Sequence, residues 1–232
     1  MSKYFPKLSA DTSPKTLILA NGAYPKCPLA LELIRRWSEG GEGYRLICCD
    51  GAVNKLLQHT GLLPDAVVGD LDSISPELRR QLEGRIHHRP DQETNDLTKA
   101  MNFVAHELSL RAVTLLGISG GREDHLLGNI ALLPGYASMV DELLALTDEG
   151  HFRLISSPSV LEVERGQQVS LFDFFGSPLT ARGLHWPLES FRLPYLWSGT
   201  LNRADQEEIY LEAETPLLVF LAKQCKPLNH EP

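Results

Sequence analysis

The sequence has little of what marks several specialised protein classes. Aromatic residues make up 7% of its 232 residues, and its four cysteines lack the spacing of a zinc site. No cationic segment leading into an apolar one stands near its start, and no apolar run is long enough to cross a bilayer. We therefore expect a cytoplasmic protein whose cysteines, including the adjacent Cys48 and Cys49 in an apolar run, are free buried thiols.

An excess of basic residues is also absent, since the formal net charge is −8. An acidic surface repels both nucleic-acid backbones and anionic membranes, so we expect neither as a partner. The remaining composition, 43% hydrophobic and 22% charged, is typical of a globular protein with one large domain or two smaller ones.

In the first part of the chain, short apolar runs alternate with longer amphipathic stretches. This alternation predicts a mostly parallel sheet covered by helices on both faces. The predicted strands are residues 16–20, 45–49, 66–68 and 113–116, and the predicted helices are residues 29–37, 52–59, 76–82, 97–108 and 123–132.

The pattern changes near Asp148-Glu149-Gly150, after which short β-like segments are separated by glycine and proline. The predicted strands there are residues 152–156, 160–163, 168–172, 209–213 and 217–222, with no helix. The sequence thus predicts an α/β domain over residues 1–149 and a small all-β sandwich over residues 150–232.

Four aspartates follow predicted strand ends or open a predicted helix: Asp50, Asp70, Asp72 and Asp96. In an open α/β sheet, ligands bind outside the carboxyl ends of the strands, so these side chains are expected to share one crevice. Carboxylates brought together repel one another unless a cation lies between them, and hard oxygen ligands favour Mg²⁺. Taken singly, each aspartate is equally consistent with a turn or a helix cap.

The segment Gly120-Gly121-Arg122 precedes the last predicted helix of this region. Backbone N–H groups of consecutive glycines, a helix N-terminus and a guanidinium all suit an anion such as phosphate. The segment lacks the lysine and the glycine spacing of a Walker loop, and a double glycine alone is most often a plain turn.

Taken together, these motifs resemble those of the thiamine pyrophosphokinase family, from about Ile18 to Leu221. The segments that carry the resemblance are Asp50-Gly51-Ala52-Val53-Asn54, Gly69-Asp70-Leu71-Asp72-Ser73, Thr94-Asn95-Asp96-Leu97-Thr98-Lys99, Gly120-Gly121-Arg122-Glu123-Asp124-His125, Gly183-Leu184-His185-Trp186-Pro187 and Gly199-Thr200-Leu201-Asn202. Their order and spacing both fit the family.

The resemblance implies an N-terminal Rossmann-like, three-layer α/β/α domain that binds ATP and a C-terminal β-sandwich that binds thiamine. It also implies a homodimer with active sites at the subunit interface. The family uses Mg²⁺ and transfers the pyrophosphoryl group of ATP to the hydroxyl group of thiamine, which releases AMP.

The resemblance also implies roles for individual residues. The metal ligands would be Asp50, Asp70, Asp72 and Asp96, and the catalytic residues Asp72, Asp96, Arg122 and Asp124. ATP would contact Asn21, Gly22, Asp50, Gly51, Thr98, Lys99, Ser119, Gly120, Gly121, Arg122 and His125. Thiamine would contact Trp186, Asn202 and Asp96. The family pattern differs at Ala52, Asn95 and Leu201, where a glycine, a threonine and a serine are usual.

The residues then suggest a mechanism in which the thiamine hydroxyl attacks the β-phosphorus of ATP. Asp72 or Asp96 would accept the hydroxyl proton and Arg122 would stabilise the charge on the transferred group, so Asp72→Asn is expected to abolish turnover. Two other hypotheses fit the same residues. One is a metal-dependent phosphohydrolase acting on a nucleotide or phosphate ester, and the other is a non-catalytic module that binds thiamine or a nucleotide.

Overall fold

The computed structural model describes residues 2–225, which form two compact units. The α/β unit comprises residues 13–132 and 138–148, and the β unit comprises residues 2–12, 133–137 and 149–225. The division differs from the predicted domains at the start of the chain, because strand β1 (Lys3–Phe5) pairs in parallel with Ser159–Leu161 of the β unit. Residue 1 and residues 226–232, at the outer ends of the predicted domains, lie outside the described residues.

The α/β unit contains one sheet in which every described neighbouring pair of strands is parallel. Its strands are β2 (Thr16–Leu19), β3 (Arg45–Cys49), β4 (Ala66–Gly69), β5 (Ile86–His88), β6 (Ala112–Leu116) and β7 (Glu142–Leu146), in the spatial order β7-β6-β2-β3-β4-β5. Most residues of these strands are buried, as expected for strands covered on both faces. The prediction of a mostly parallel sheet is confirmed for this unit, although β5 and β7 were not predicted.

Five helices connect these strands: α1 (Pro28–Ser38), α2 (Ala52–Thr60), α3 (Pro76–Gln81), α4 (Asp96–Asn102) and α5 (Glu123–Leu132). The starts of α3 and α4 are set by side-chain caps, since Ser75 Oγ accepts from Leu78 N and Asn95 Oδ1 accepts from Thr98 N. In residues 2–225, no helix is both long and apolar enough to cross a membrane.

The helix predicted over residues 97–108 is only partly regular. After α4 the chain widens into a π-helical turn, Phe103–Glu107, in which Leu108 N donates to Phe103 O. The ring of Phe103 packs against His87 of β5, with 4.1 Å between ring centroids. The predicted helix is therefore helical as far as Glu107, but its last turn is π-helical.

The β unit contains two sheets, and β1 with its partner is the one parallel pair among its described strands. The strands are β8 (Gly150–Ile155), β9 (Ser159–Glu162), β10 (Gln167–Asp173), β11 (Leu179–Arg182), β12 (Leu188–Phe191), β13 (Gly199–Arg203), β14 (Glu208–Ala213) and β15 (Leu217–Cys225). One sheet has the order β1-β9-β14-β11-β12, and within this unit the other has the order β13-β10-β15-β8.

Both sheets of the β unit contribute to one apolar core. Leu161 and Leu211 from the first sheet and Val169 and Val219 from the second are almost fully buried members of it. Along β10, buried and partly exposed residues alternate, as they do in a strand with one covered face. Strands β11, β12 and β13 were not predicted from the sequence, and a short 3₁₀ turn, Leu196–Ser198, occurs where no helix was expected.

Candidate active site

Three aspartates of the α/β unit meet at one edge of its sheet. Asp50 directly follows β3, Asp70 directly follows β4, and Asp96 is the first residue of α4. One carboxylate oxygen from each lies within 4.8 Å of the others. Asp50 is buried, whereas Asp70 and Asp96 are half-buried. We call these three side chains the carboxylate trio, and it lies where the carboxyl ends of parallel strands place ligand-binding groups.

The backbone at the trio leaves no space for an additional side chain. Gly69, the last residue of β4, has a φ of 158°, and a Cβ there would lie 2.8 Å from Asp50 Cβ and 3.2 Å from Asp96 Oδ1. Asp50 and Leu71 also have positive φ values, of 25° and 70°. Such conformations are uncommon for residues other than glycine and concentrate at functional sites.

The two oxygens of Asp50 differ in their partners. Oδ2 accepts a hydrogen bond of 3.2 Å from Ser73 N, but Oδ1 is buried and has no hydrogen-bond partner among the described residues. A buried carboxylate oxygen without a partner is unfavourable. A divalent cation between the trio would satisfy this oxygen and reduce the repulsion between the carboxylates. An all-oxygen donor set of this kind fits a hard cation such as Mg²⁺.

The pKa values of two members of the trio are shifted in opposite directions. Burial raises the pKa of Asp96, and the charges of Asp50 and Asp70 add to this effect, while nearby Lys99 opposes it. By contrast, a hydrogen bond from Gln92 Nε2 (3.2 Å) and another from Asp72 N lower the pKa of Asp70. The pKa of Asp70 is therefore lowered and that of Asp96 is raised.

Asp72 was predicted to be a fourth ligand, but the structure does not bring it to the other three. Within the described chain, the group of carboxylates close enough to share an ion contains Asp50, Asp70 and Asp96. Asp72 is exposed, and its backbone N donates to Asp70 Oδ1 at 3.2 Å. The left-handed conformation of Leu71 turns the chain between the two aspartates. The catalytic role of Asp72 stays a prediction.

A cavity of about 570 Å³ opens beside the trio. Eight residues assigned to the site from the sequence line it: Asn21, Gly22, Asp70, Asp96, Lys99, Gly121, Arg122 and His125. Gln92 and Asn129 also line it and were not assigned, although both lie in or next to the motifs that carry the family resemblance. Asn129 Nδ2 donates to Ile118 O at 3.0 Å, which holds α5 against the preceding loop.

The glycine-rich loop after β6 packs tightly against the loop after β2. Gly22 N donates to Gly117 O (2.8 Å) and Ala23 N donates to Ser119 O (2.7 Å). Gly117 and Gly120 have positive φ values, and a Cβ on Gly120 would contact the Cβ of Ala23. The glycines are thus needed for the close approach of two loops, a role that the sequence alone did not reveal.

Arg122 and Asp124, both predicted to be catalytic, form a two-point ion pair. Arg122 Nη2 lies 2.6 Å from Asp124 Oδ2, and Nε donates to Asp124 Oδ1 at 3.1 Å. Asp124 Oδ1 also accepts from His125 N at 3.0 Å. Both side chains are exposed, so the pair adds little stability, but it fixes the direction of the guanidinium at the cavity wall.

Gly51, which was predicted to contact ATP, and Lys55, which was not, lie around the same loops. Lys55 Nζ donates to the backbone carbonyl groups of Asn21 (2.7 Å) and Gly22 (2.5 Å). A Cβ on Gly51 would lie 2.7 Å from Asn21 Nδ2, so this glycine permits the close approach of α2 to the loop. Ala52, which replaces the usual glycine, is fully buried at the start of α2.

The two remaining predicted site residues, Trp186 and Asn202, lie in the β unit. Trp186 is 58% exposed, and its indole lies nearly perpendicular to the ring of His185, with 4.7 Å between the centroids. Asn202, in β13, is buried and forms hydrogen bonds to the backbone of Trp186. Leu201, which replaces the usual serine, is exposed and has a φ of 62°.

Comparisons with known proteins match both parts of the chain. Residues 42–140 match the family model described as thiamin pyrophosphokinase, catalytic domain, and residues 150–220 match thiamin pyrophosphokinase, substrate-binding domain. Thiamine pyrophosphokinase 1 of Oryza sativa subsp. japonica is 27% identical over 204 residues, which cover 74% of this chain and 76% of that protein. Thiamine pyrophosphokinase of Bacillus subtilis is 27% identical over 143 residues, or 58% and 66% of the two chains.

Solved structures resemble the fold of the whole described chain. The thiamin pyrophosphokinase from Candida albicans matches with a TM-score of 0.76 at 17% identity, covering 95% of this chain and 92% of that one. The yeast thiamin pyrophosphokinase matches with a TM-score of 0.73 at 17% identity, covering 95% and 90%. At this identity the likeness establishes the mixed α/β fold with large sheets.

Proposed function

Because the chain belongs to the thiamine pyrophosphokinase family, we propose that it transfers the pyrophosphoryl group of ATP to the hydroxyl group of thiamine, which yields thiamine diphosphate and AMP. The observation that carries the chemistry is the carboxylate trio around the unpartnered Oδ1 of Asp50. Reactions at phosphorus depend on positioning and on neutralising negative charge, and this site offers cation ligands beside a cavity lined by Arg122.

The two units take different roles in this proposal. The α/β unit is the Rossmann-like, three-layer catalytic domain that binds ATP, which its parallel sheet and its strand-end carboxylates support. The β unit is the β-sandwich domain that binds thiamine, which the shared core of its two sheets and the exposed indole of Trp186 support.

Asp50, Asp70 and Asp96 would hold Mg²⁺, which when bound neutralises negative charge on the phosphates of ATP. The chain's own groups have further tasks. Of the two carboxylates predicted to accept the hydroxyl proton, Asp96 lines the cavity and has a raised pKa, whereas Asp72 is exposed. These observations favour Asp96 as the proton acceptor. The guanidinium of Arg122, held by Asp124, would contact the transferred group.

Thiamine carries a cationic thiazolium ring and a flat aminopyrimidine. An exposed indole suits both by stacking and by cation–π attraction, which supports Trp186 as its principal contact. A homodimer with its sites at the subunit interface and a cytoplasmic location complete the proposal, and both rest on the family resemblance.

The test is to incubate the purified protein with thiamine, ATP and Mg²⁺ and to measure AMP and thiamine diphosphate. We expect the two products in equal amounts and their loss when the metal is chelated. Release of inorganic phosphate without thiamine would instead identify a phosphohydrolase. Tight binding of thiamine or ATP without any product would identify a binding module. An Asp96→Asn variant provides the matched inactive protein.

A further inference from the structure

We propose that Lys99 is a positioning residue, whose buried ammonium group holds the carboxylate trio together before a metal ion binds and which acts through Asp96 and not on ATP. The inference rests on the proposed function in one respect, since it takes the trio to be the metal site. It changes the role expected of Lys99 from the sequence, which was contact with ATP.

Lys99 is buried, unlike a lysine that contacts a phosphate from an exposed position. Its side chain is only 4% exposed, and its Nζ lies 3.4 Å from Asp96 Oδ1, whose own side chain is 33% exposed. Lysine is almost never fully buried unless it is paired with an opposite charge. The ammonium therefore pairs with Asp96 from a buried position, although Lys99, like Asp96, also lines the cavity.

Helix geometry places Lys99 beside Asp96, one member of the trio. Asp96 and Lys99 are three residues apart in the first turn of α4, so their side chains lie on the same side of the helix. The same helix packs on β3 and β4, whose carboxyl ends carry Asp50 and Asp70. One buried cation thus lies on the helix that packs against both strands supplying the other carboxylates.

The charges explain why such a cation is needed. Three ionised carboxylates with oxygens within 4.8 Å of one another repel strongly in a partly buried site. The ammonium of Lys99 offsets one of these three charges and leaves two, which is the charge of one divalent ion. Without it, the metal-free site would be less stable and would attract a divalent cation more strongly.

The test uses Lys99→Met, which removes the charge and keeps a long apolar side chain. In a metal chelator, we expect its Tm to fall by about 5 °C or more relative to wild type. Added Mg²⁺, without nucleotide, is expected to raise its Tm by more than it raises that of wild type. The Mg²⁺ concentration that gives half of this rise should fall at least about threefold. The KM for ATP at saturating Mg²⁺ should stay within about twofold of wild type.

Two further variants keep the test decisive. Lys55→Met removes another partly buried lysine near the site, one that donates to backbone carbonyl groups, and it should leave the Mg²⁺-induced rise in Tm unchanged. If Lys99→Met does not fold, the double variant Asp96→Asn/Lys99→Met, which removes both charges of the pair, is expected to fold.

The proposal is overturned if Lys99→Met keeps the wild-type Tm in chelator and the wild-type response to Mg²⁺, whatever its KM for ATP. A rise of about tenfold in the KM for ATP would also overturn it, because Lys99 would then act on ATP. It is also overturned if the double variant fails to fold while Asp96→Asn alone folds. Because melting in Mg²⁺ requires no turnover, the Tm results do not depend on whether the wild-type protein forms thiamine diphosphate.

Discussion

The side-chain amide of Asn202 binds both backbone polar groups of Trp186. Its Oδ1 accepts from Trp186 N at 3.2 Å, and its Nδ2 donates to Trp186 O at 2.8 Å. The same Oδ1 accepts from Arg203 N at 2.9 Å. Asn202 is buried and its amide is largely occupied, whereas the indole of Trp186 is exposed. Of these two residues predicted to contact thiamine, Trp186 therefore presents a ring and Asn202 holds the backbone that carries it.

Replacing Trp186 and replacing Asn202 should consequently have different effects. Trp186→Ala is expected to raise the KM for thiamine about tenfold with little change in Tm, because the lost ring is exposed. Asn202→Ala should also raise this KM, but with a loss of about 1–3 kcal/mol in the free energy of unfolding, since buried partners lose their hydrogen bonds. Steady-state kinetics and denaturant unfolding measure the two quantities.

Trp197, which is also exposed in the β unit, provides the control. Trp197→Ala should leave the KM for thiamine unchanged. Equal increases in Trp186→Ala and Trp197→Ala would show that exposed aromatic surface in general, and not Trp186, determines affinity for thiamine.

Asp50 belongs to the carboxylate trio proposed to hold Mg²⁺, and Asp72 does not. Asp50→Asn should abolish the Mg²⁺-induced rise in Tm and reduce turnover about 100-fold or more, because the buried ligand oxygen is lost. In chelator its Tm should not fall, since one of three mutually repelling charges is removed. Asp72→Asn should keep the Mg²⁺-induced rise in Tm. If Asp72→Asn loses that rise, Asp72 is also a metal ligand, and the carboxylate trio lacks one member of the metal site.

Gly69 offers a test of the close packing beneath the trio. In Gly69→Ala the new methyl group would meet both Asp50 and Asp96, so we expect turnover to fall about 100-fold or more, together with a loss of stability. Gly84→Ala is the control, because Gly84 also has a positive φ (80°) but a Cβ there meets no described atom within 4 Å. It should cost about 1–2 kcal/mol of stability and leave turnover intact. Comparable losses of turnover in both variants would contradict the assigned packing.

A pH dependence of stability is expected from His151 in β8. Burial, and then the charge of nearby Arg153, lower the pKa of His151 to about 3. In the unfolded chain a histidine binds a proton below about pH 6.5, but the folded protein does not bind one here until about pH 3. The contribution of His151 to stability is therefore fully present above about pH 6.5. It is lost progressively as the pH falls from about 6.5 towards 3.

The size of the effect follows from proton linkage. Between pH 7 and pH 5, this residue should lower the free energy of unfolding by about 2 kcal/mol. Urea unfolding at the two pH values measures it, and His151→Gln should show a smaller decrease. The exposed His106→Gln variant serves as the reference and should retain the wild-type decrease. The assignment is wrong if His151→Gln and wild type lose the same stability.

Much of the α/β unit could be predicted because its signals are local. Buried strands give continuous apolar runs, and the strand-end rule then places the following polar residues at one edge of the sheet, where Asp50 and Asp70 do lie close together. The same rule could not separate Asp70 from Asp72. That separation depends on the left-handed conformation of Leu71, a residue type that gives no sign of such a turn.

Other features depend on contacts between distant residues and left no local pattern. The three-residue strand Ile86–His88 is too short to show a periodicity, and the role of Asn202 depends on a partner sixteen positions earlier in the chain. The burial of Lys99 could not be read from its helix either, because a lysine in a first turn is usually solvated. Sequence patterns thus indicated residues that lie together at the candidate site, but not how those residues contact one another.

The pairing of β1 with β9 has a consequence for the order in which the protein is made. The segment Lys3–Phe5 is synthesised before its partner, Ser159–Leu161, and the whole α/β unit is synthesised between the two. This strand must therefore wait, without its partner, while the α/β unit emerges. Deleting Lys3–Phe5 would leave β9 without its parallel neighbour in the β unit.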